Sequence, residues 1–362
     1  MRRGAGDYFL VEGHRDNFEL TARRRKGEAC PLANWLPRLR RAALNVSVIA
    51  VGGDGLHHRD GSDRPLEGSL DVLDMFLNDV EALRARGEPV QVVLSKDDLP
   101  SRPDDGVVRF VLEIEGGRPF QEDYSSGKPM HRRLALLRTF FRLGIRSIHL
   151  THNGRNELGD GGNEADGGRL SRFGVAVLAE AQRLGMNVSL AHLTDSCIAH
   201  ALEVAEKPVT ATHDNARAVY PHPRNFTDDQ LRAMARNGGV VGIHFLRMMC
   251  DPQRLLLDDY LDHVVHAAQV AGHEHVGIGW LGSDQGFREF AGSHANSFVA
   301  EAGGAPLEMR EAYETLIERL ATRGFTDDQI GAFLGGNYLR VFREVLPAGQ
   351  PGDASRSGSG SS

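Results

Sequence analysis

The chain has 362 residues, 42 of them basic and 49 acidic, for a formal charge of −7, with 41% hydrophobic and 25% charged side chains. This is soluble globular composition, and the length admits two modest domains or one large α/β unit such as a barrel. A mild acidic excess without a Lys/Arg block argues against nucleic acid or an anionic membrane as partner, because such binding draws its affinity from neutralised phosphates. Cys30, Cys197 and Cys250 are odd in number, widely spaced and form no CxxC pair, so neither a disulfide framework nor a thiolate zinc knuckle is expected, and the compartment reads as reducing. The start carries no apolar signal core, and no run of about 18 apolar residues occurs. A cytoplasmic protein with no membrane anchor is the expectation. The 16 histidines are many, and several sit where an apolar run ends.

In chain order, β-rich runs fall at 9–13, 46–51, 107–114, 147–150, 188–191, 209–212, 240–243 and 275–279. A further run at 90–94 is expected as an extra strand, a hairpin beside the main sheet. Segments with helical apolar spacing lie between them at 70–83, 134–143, 173–184, 195–205, 228–235 and 255–270. Eight strands in βα alternation over roughly 280 residues predict a (β/α)8 TIM-type barrel, because a doubly wound sheet usually has five to seven. Extra C-terminal helices at 306–323, 326–333 and 336–345 are expected on the outside of the barrel. No linker divides residues 1–348, which read as one domain. Residues 349–362, rich in Gly and Ser, cannot bury enough apolar surface to offset their ordering entropy and read as a disordered tail. The long loops 52–65, with His57 and His58, and 151–168 follow strands, where a barrel carries its active-site loops.

In a barrel the strand C-termini converge on one mouth, so polar residues just past each strand meet although far apart in sequence. Here they recur: His14-Arg15-Asp16 after the first strand, Glu113-Ile114-Glu115-Gly116-Gly117 at the third and His149-Leu150-Thr151-His152-Asn153 at the fourth. His192 follows the fifth, His213-Asp214 the sixth and Ser283-Asp284 the eighth. Clustered carboxylates raise one another's pKa, and a divalent cation is the usual remedy. Imidazole with carboxylate favours zinc or a similar ion. His14 and Asp16 are two apart and on a strand point the same way. Glu115 is placed to bridge two ions, and His192 and His213 complete the second. Two ions clamping one hydroxide make a hydrolytic arrangement. Cys197, Cys250, His263 and His266 read as helix-face or core residues.

The same series resembles the membrane (renal) dipeptidase family of zinc metallopeptidases. The match comprises Gly-His-Arg-Asp at 13–16, Ile-Glu-Gly-Gly at 114–117, Leu-Thr-His-Asn at 150–153, Arg-Leu-Gly-Met at 183–186 and Lys-Pro-Val-Thr-Ala-Thr-His at 207–213. It continues through Pro-Arg-Asn-Phe-Thr-Asp at 223–228, Gly-Gly-Val-Val-Gly-Ile at 238–243 and Leu-Gly-Gly-Asn-Tyr-Leu-Arg at 334–340. The resemblance implies a barrel with two Zn2+ ions, or similar divalent ions, per chain: His14 and Asp16 on one, Glu115 bridging, His192 and His213 on the other. It further implies that His152 binds substrate and steadies the oxyanion, that Arg224 takes the substrate's terminal carboxylate, and that Asp284 shuttles a proton during cleavage of a dipeptide. Two departures stand out. The family's Asp-Leu-Ser-His is Ser189-Leu190-Ala191-His192 here, which removes an Asp beside that ligand, and the family's Gly-Ser-Asp-Phe-Asp-Gly reads Gly282-Ser283-Asp284-Gln285-Gly286-Phe287 after a two-residue insertion. The alternatives are a lactam, N-acyl amino acid or specialised-metabolite amide as substrate of the same metal site, or a catalytically silent binding barrel. Dimers are common in the resembled family, but no interface is readable from the sequence.

Overall fold

The computed structural model describes residues 3–54, 64–121, 129–165, 167–251, 253, 256–281 and 309–349. Among the described residues, nine parallel strands run β1 Val11–Glu12, β2 Val46–Gly53, β3 Val90–Val92, β4 Val108–Glu115, β5 Ile145–His149, β6 Asn187–Ser189, β7 Thr210–Asp214, β8 Val240–His244 and β9 Val276–Trp280. Eight of them pair in the order β1-β2-β4-β5-β6-β7-β8-β9. The Gly13 N–H to Ile278 O bond (2.9 Å) and the His14 N–H to Gly279 O bond (3.0 Å) close the ring between β1 and β9. The fold is therefore the (β/α)8 barrel expected. Its strands are buried on both faces, which is why they read as near-continuous apolar runs.

β3 is not a hairpin arm. It pairs parallel with the lower half of β4, Val90 opposite Val108 and Val92 opposite Phe110, while β5 takes over only from Leu112. The eight-residue β4 outreaches β5 at its start, and β3 covers that edge.

The helices begin and end where local chemistry dictates. Arg172–Leu184 starts at Ser171, whose hydroxyl accepts the Gly174 N–H, and Asp228–Asn237 starts with a reciprocal Thr227/Gln230 box. Two helices after β1, Phe18–Arg25 and Leu32–Arg41, were not expected from the sequence. The second carries Pro37 inside it but buries Leu32, Trp35, Leu36 and Leu39, the spacing of one helical face.

Alternate strand residues face opposite sides. Val241 and Ile243 pack outward into the main hydrophobic cluster with the helices, whereas Val11, Val46, Val48, Val111 and Val240 form a second cluster inside the ring. That inner cluster is completed by Tyr338, Leu339, Val341 and Phe342 of the last helix, Asn337–Val345. This corrects one expectation: Met309–Thr322 lies outside, against Leu32–Arg41, but the final helix closes the lower end of the barrel. The cause is steric. Side chains at Gly13, Gly242 and Gly277 would collide with the Tyr338 ring or hydroxyl, so these glycines leave room for a phenol whose hydroxyl donates to Thr212 O at 3.3 Å. Of the expected tail 349–362 only Gly349 is described, its N–H donating to Asp97 Oδ2 at 3.0 Å; the rest of it, most of the loop 52–65 and residues 282–308 lie outside the described residues.

Truncating a large buried aromatic typically costs about 3–5 kcal/mol. Tyr338→Ala is expected to lose that much stability in urea unfolding, and Tyr338→Phe about 1 kcal/mol, the worth of one hydrogen bond; equal losses would mean that the ring does not fill the barrel.

Candidate metal centre

β4 presents Glu113 and Glu115 to the interior, two residues apart. Just beyond, Gly116 adopts φ 100°, and a side chain there would run into Asp54. The Asp54 carboxylate accepts the Arg118 N–H at 2.7 Å and the His152 N–H at 3.3 Å, tying together the loops that follow β2, β4 and β5. Burial raises its pKa against those donors. The Glu-Gly-Gly signature is thus a device for turning the chain sharply behind Glu115.

At the mouth the side chains named from the sequence come together. Glu115 Oε1 lies 3.0 Å from His192 Nε2, 3.5 Å from His213 Nε2 and 3.7 Å from His14 Nε2. His14 Nε2 is 3.6 Å from Asp16 Oδ1, and the two ring nitrogens of His192 and His213 are 2.7 Å apart. All are buried except Asp16, which is partly exposed. β7 shifts register between Ala211 and Asp214, which lets His213 share the inner face with Thr212, its Nδ1 3.0 Å from Thr212 Oγ1. His192 sits at φ 70°, a left-handed backbone rare for a side-chain-bearing residue. Its carbonyl accepts Gly162 N–H at 2.6 Å.

Three residues not singled out by the sequence pattern also lie at the cluster. Glu113 and His149 lie in the layer beneath, with His14 Nδ1 2.8 Å from Glu113 Oε1 and His149 Nε2 3.2 Å from Glu113 Oε2. Both occur in the quoted strand ends, and the alternation Glu113/Glu115 was the signal that could have found the first. His244 ends β8, its ring 5.3 Å from that of His213, with both ring nitrogens buried and without a hydrogen-bond partner among the described residues. The absent Asp of the Asp-Leu-Ser-His pattern is not needed to orient His192, because Asn153 Oδ1 lies 2.8 Å from its Nδ1. Ser189 instead bonds Thr212 Oγ1.

The electrostatics suit a bound cation. Burial would raise the Glu113 carboxyl, but His149 and His14 hold it down at about 2. Burial lowers the pKa of His192 and His213 well below the ordinary imidazole value, with Arg224 and neighbouring rings adding to the effect. Neutral rings keep a lone pair for a ligand bond. The donor atoms of Glu115, His149, His192 and His213 all lie within 4.8 Å of one another, as do those of His14, Asp16 and Glu115. Imidazole and carboxylate at this spacing suit zinc or a similar divalent ion.

His152 stands beside the cluster, its ring centroid 4.2 Å from that of His192. Arg224 is half-buried rather than paired at the surface: its Nη2 donates to His213 O at 3.2 Å and Asp214 Oδ1 at 3.3 Å, while its Nε is buried without a partner among the described residues. Asp214 is fully buried, and burial pushes its pKa up to about 7 despite Arg224. Asp284 lies outside the described residues. Cys250, Asp259 and His263 form another compact group, but His263 Nδ1 accepts the Ala216 N–H at 3.1 Å, so Nε2 carries the proton and has no lone pair for a metal. Cys197 Sγ bonds Gly168 O and His266 bridges to Asp228, both structural contacts.

A parallel barrel with histidine and carboxylate donors converging at its C-terminal mouth defines a metal-binding protein of the TIM-barrel class. A model of the membrane dipeptidase family, peptidase family M19, matches residues 36–355, and the chain belongs to that family. It is 35% identical over 212 residues to dipeptidase verJ of Clonostachys rogersoniana, covering 58% of this chain and 51% of that protein. It is 36% identical over 257 residues to an uncharacterized dipeptidase of Schizosaccharomyces pombe, covering 69% and 56%. The chain thus spans about half the length of the curated relatives it matches. A metallo peptidase from Rhodobacter sphaeroides, solved with a phosphinate mimic of the dipeptide L-Ala-D-Ala, shares the fold with TM-score 0.70 over 94% of this chain and 100% of that one, at 19% identity.

Asp214 binds a proton more tightly folded (about 7) than at its ordinary value of 3.8. Between those values the native state holds the extra proton, so stability of the metal-free protein falls as pH rises from about 4 to 7. Asp214→Asn is expected to flatten that fall in thermal unfolding followed across pH; an unchanged slope would assign it elsewhere.

Proposed function

We propose that the chain is a binuclear zinc-dependent hydrolase that cleaves the amide bond of dipeptides or dipeptide-like substrates. The observation that carries this reading is the single Glu115 oxygen within 3.0–3.7 Å of His192, His213 and His14, one carboxylate between two donor sets. His14, Asp16 and Glu115 would hold one ion, and Glu115, His192 and His213 the other. When bound, the ions supply a Lewis acid for the amide carbonyl and lower the pKa of a water. The relatives' names and the dipeptide mimic held by the Rhodobacter protein support the substrate class.

The chain's own residues then divide the work. Arg224 receives the terminal carboxylate of the substrate, its Nε, without a partner among the described residues, completing a bidentate fork with a guanidinium already fixed by His213 O and Asp214. His152, beside His192, donates to the oxygen on which negative charge develops, a contribution worth several kcal/mol in preorganised sites. Asp284 takes a proton from water and returns it to the departing amine, a role resting on the sequence resemblance alone. A cavity of ≈ 860 Å³ is lined by Gly162, Glu164, Thr194, Asp195, Arg217 and Pro223, and Gly162 lies against the Arg224 stem, where an added Cβ would come 3.0 Å from Cγ. The three cysteines, none in a disulfide, support a reducing, cytoplasmic setting. No helix among the described residues is long and apolar enough to cross a membrane.

Elemental analysis followed by turnover of L,L- and L,D-dipeptides, with and without added zinc, tests the reading. About two zincs per chain with cleavage are expected. Two zincs without cleavage would overturn the dipeptide assignment in favour of lactams or N-acyl amino acids, and no bound metal after zinc loading would leave a silent binding barrel.

Arg224→Met is expected to raise KM roughly tenfold or more for substrates with a free carboxylate, the scale of a lost charge-assisted bond, while leaving KM for amidated peptides unchanged. Equal losses on both would make Arg224 structural.

A further inference from the structure

Resting on the binuclear reading above, we propose that His149 is a sixth protein ligand, on the ion shared by Glu115, His192 and His213, and that Glu113 is the common partner that orients both His149 and His14. His192 turns Nδ1 to Asn153 Oδ1 (2.8 Å) and Nε2 to Glu115; His213 turns Nδ1 to Thr212 Oγ1 (3.0 Å) and Nε2 to Glu115. His14 turns Nδ1 to Glu113 Oε1 (2.8 Å) and Nε2 to Asp16 and Glu115. Each ring thus spends its outer nitrogen on a protein acceptor and aims its inner one at the centre, the arrangement by which metal-bound imidazoles are held in one tautomer.

His149 follows the same rule with its nitrogens exchanged. Nε2 faces Glu113 Oε2 (3.2 Å) and Thr212 Oγ1 (3.0 Å), and Nδ1 points toward Glu115 Oε1 at 3.9 Å. A carboxylate only accepts, so Nε2 carries the hydrogen and Nδ1 keeps the lone pair. That Nδ1 is fully buried and has no hydrogen-bond partner among the described residues, a costly arrangement for a core atom unless it makes a ligand bond. Glu113 serves both rings, one oxygen to each, with Ser147 Oγ donating to it at 2.6 Å. A lone core histidine would have no reason to share its orienting carboxylate with a ligand of the first ion.

Zinc competition titration against a chromophoric chelator separates the roles. His149→Ala is expected to keep one zinc at wild-type affinity and to bind the second at least tenfold more weakly. Glu113→Gln is expected to weaken both about 10- to 100-fold, the usual range for loss of an orienting carboxylate. Two zincs bound as in the wild type by His149→Ala would overturn the proposal while leaving the binuclear dipeptidase standing; a wild type that binds no zinc would overturn both. Where circular dichroism shows that the variants do not fold, anomalous diffraction from zinc-loaded wild-type crystals decides. Zinc about 2.0–2.1 Å from His149 Nδ1 is expected, and zinc beyond bonding distance of that atom overturns the assignment.

Discussion

Closure of the strand ring is the constraint on which everything else rests. Two backbone hydrogen bonds, from Gly13 to Ile278 and from His14 to Gly279, join the first strand to the last. Without them His14 and Asp16 would hang on an open edge, far from Glu115. With them, residues from positions 14 to 213 share one mouth. Closure also creates an interior that must be filled, since a barrel of eight strands is a packed core and no pore. The lower part is filled with valines and the Tyr338 ring; the upper part is filled with ionisable groups. Gly13 just after β1 and the glycines of β8 and β9 admit the phenol, and its hydroxyl meets Thr212 O just beneath the histidines.

Between these two layers runs a polar network that converts strand geometry into ligand geometry. Thr212 Oγ1 touches Ser189, His149 and His213, and Asn187 links Ser147 to Thr210. Each member is buried, so each must be satisfied, and satisfaction leaves few rotamers open. Glu113 is the node. Its charge is held by two imidazoles, and it dictates which nitrogen each ring turns to the centre. The network also holds His192 without an acidic residue at position 189: Asn153, on the loop after β5, orients the ring, and Ser189 joins the network below.

Much of this was legible from one chain. Eight apolar runs alternating with helical patterns specify a parallel barrel, because a strand buried on both faces has no polar alternation and each needs a helix to cover it. Polar residues at strand ends named His14, Asp16, Glu115, His192 and His213 as neighbours, since a closed ring leaves them nowhere else to go. What failed was local. The run at 90–94 lacked information about its partner, the helix with Pro37 violated the expected pattern, and the last helix read as one more outer helix because nothing in its own spacing says that its apolar face enters a barrel.

The sequence by itself determined the class of fold, the place of the site and the residue types that line it, because hydrophobic period and strand-end chemistry are local properties. Only the tertiary structure decided which nitrogen of each histidine faces the centre, that Glu113 serves two rings at once, that Arg224 leans on a buried Asp214, and that Tyr338 plugs the barrel. Those are relations between residues as far apart in the chain as Gly13 and Tyr338. They depend on register, bulges and missing Cβ atoms, and distance in space between such elements is set by the closed ring rather than by any one segment.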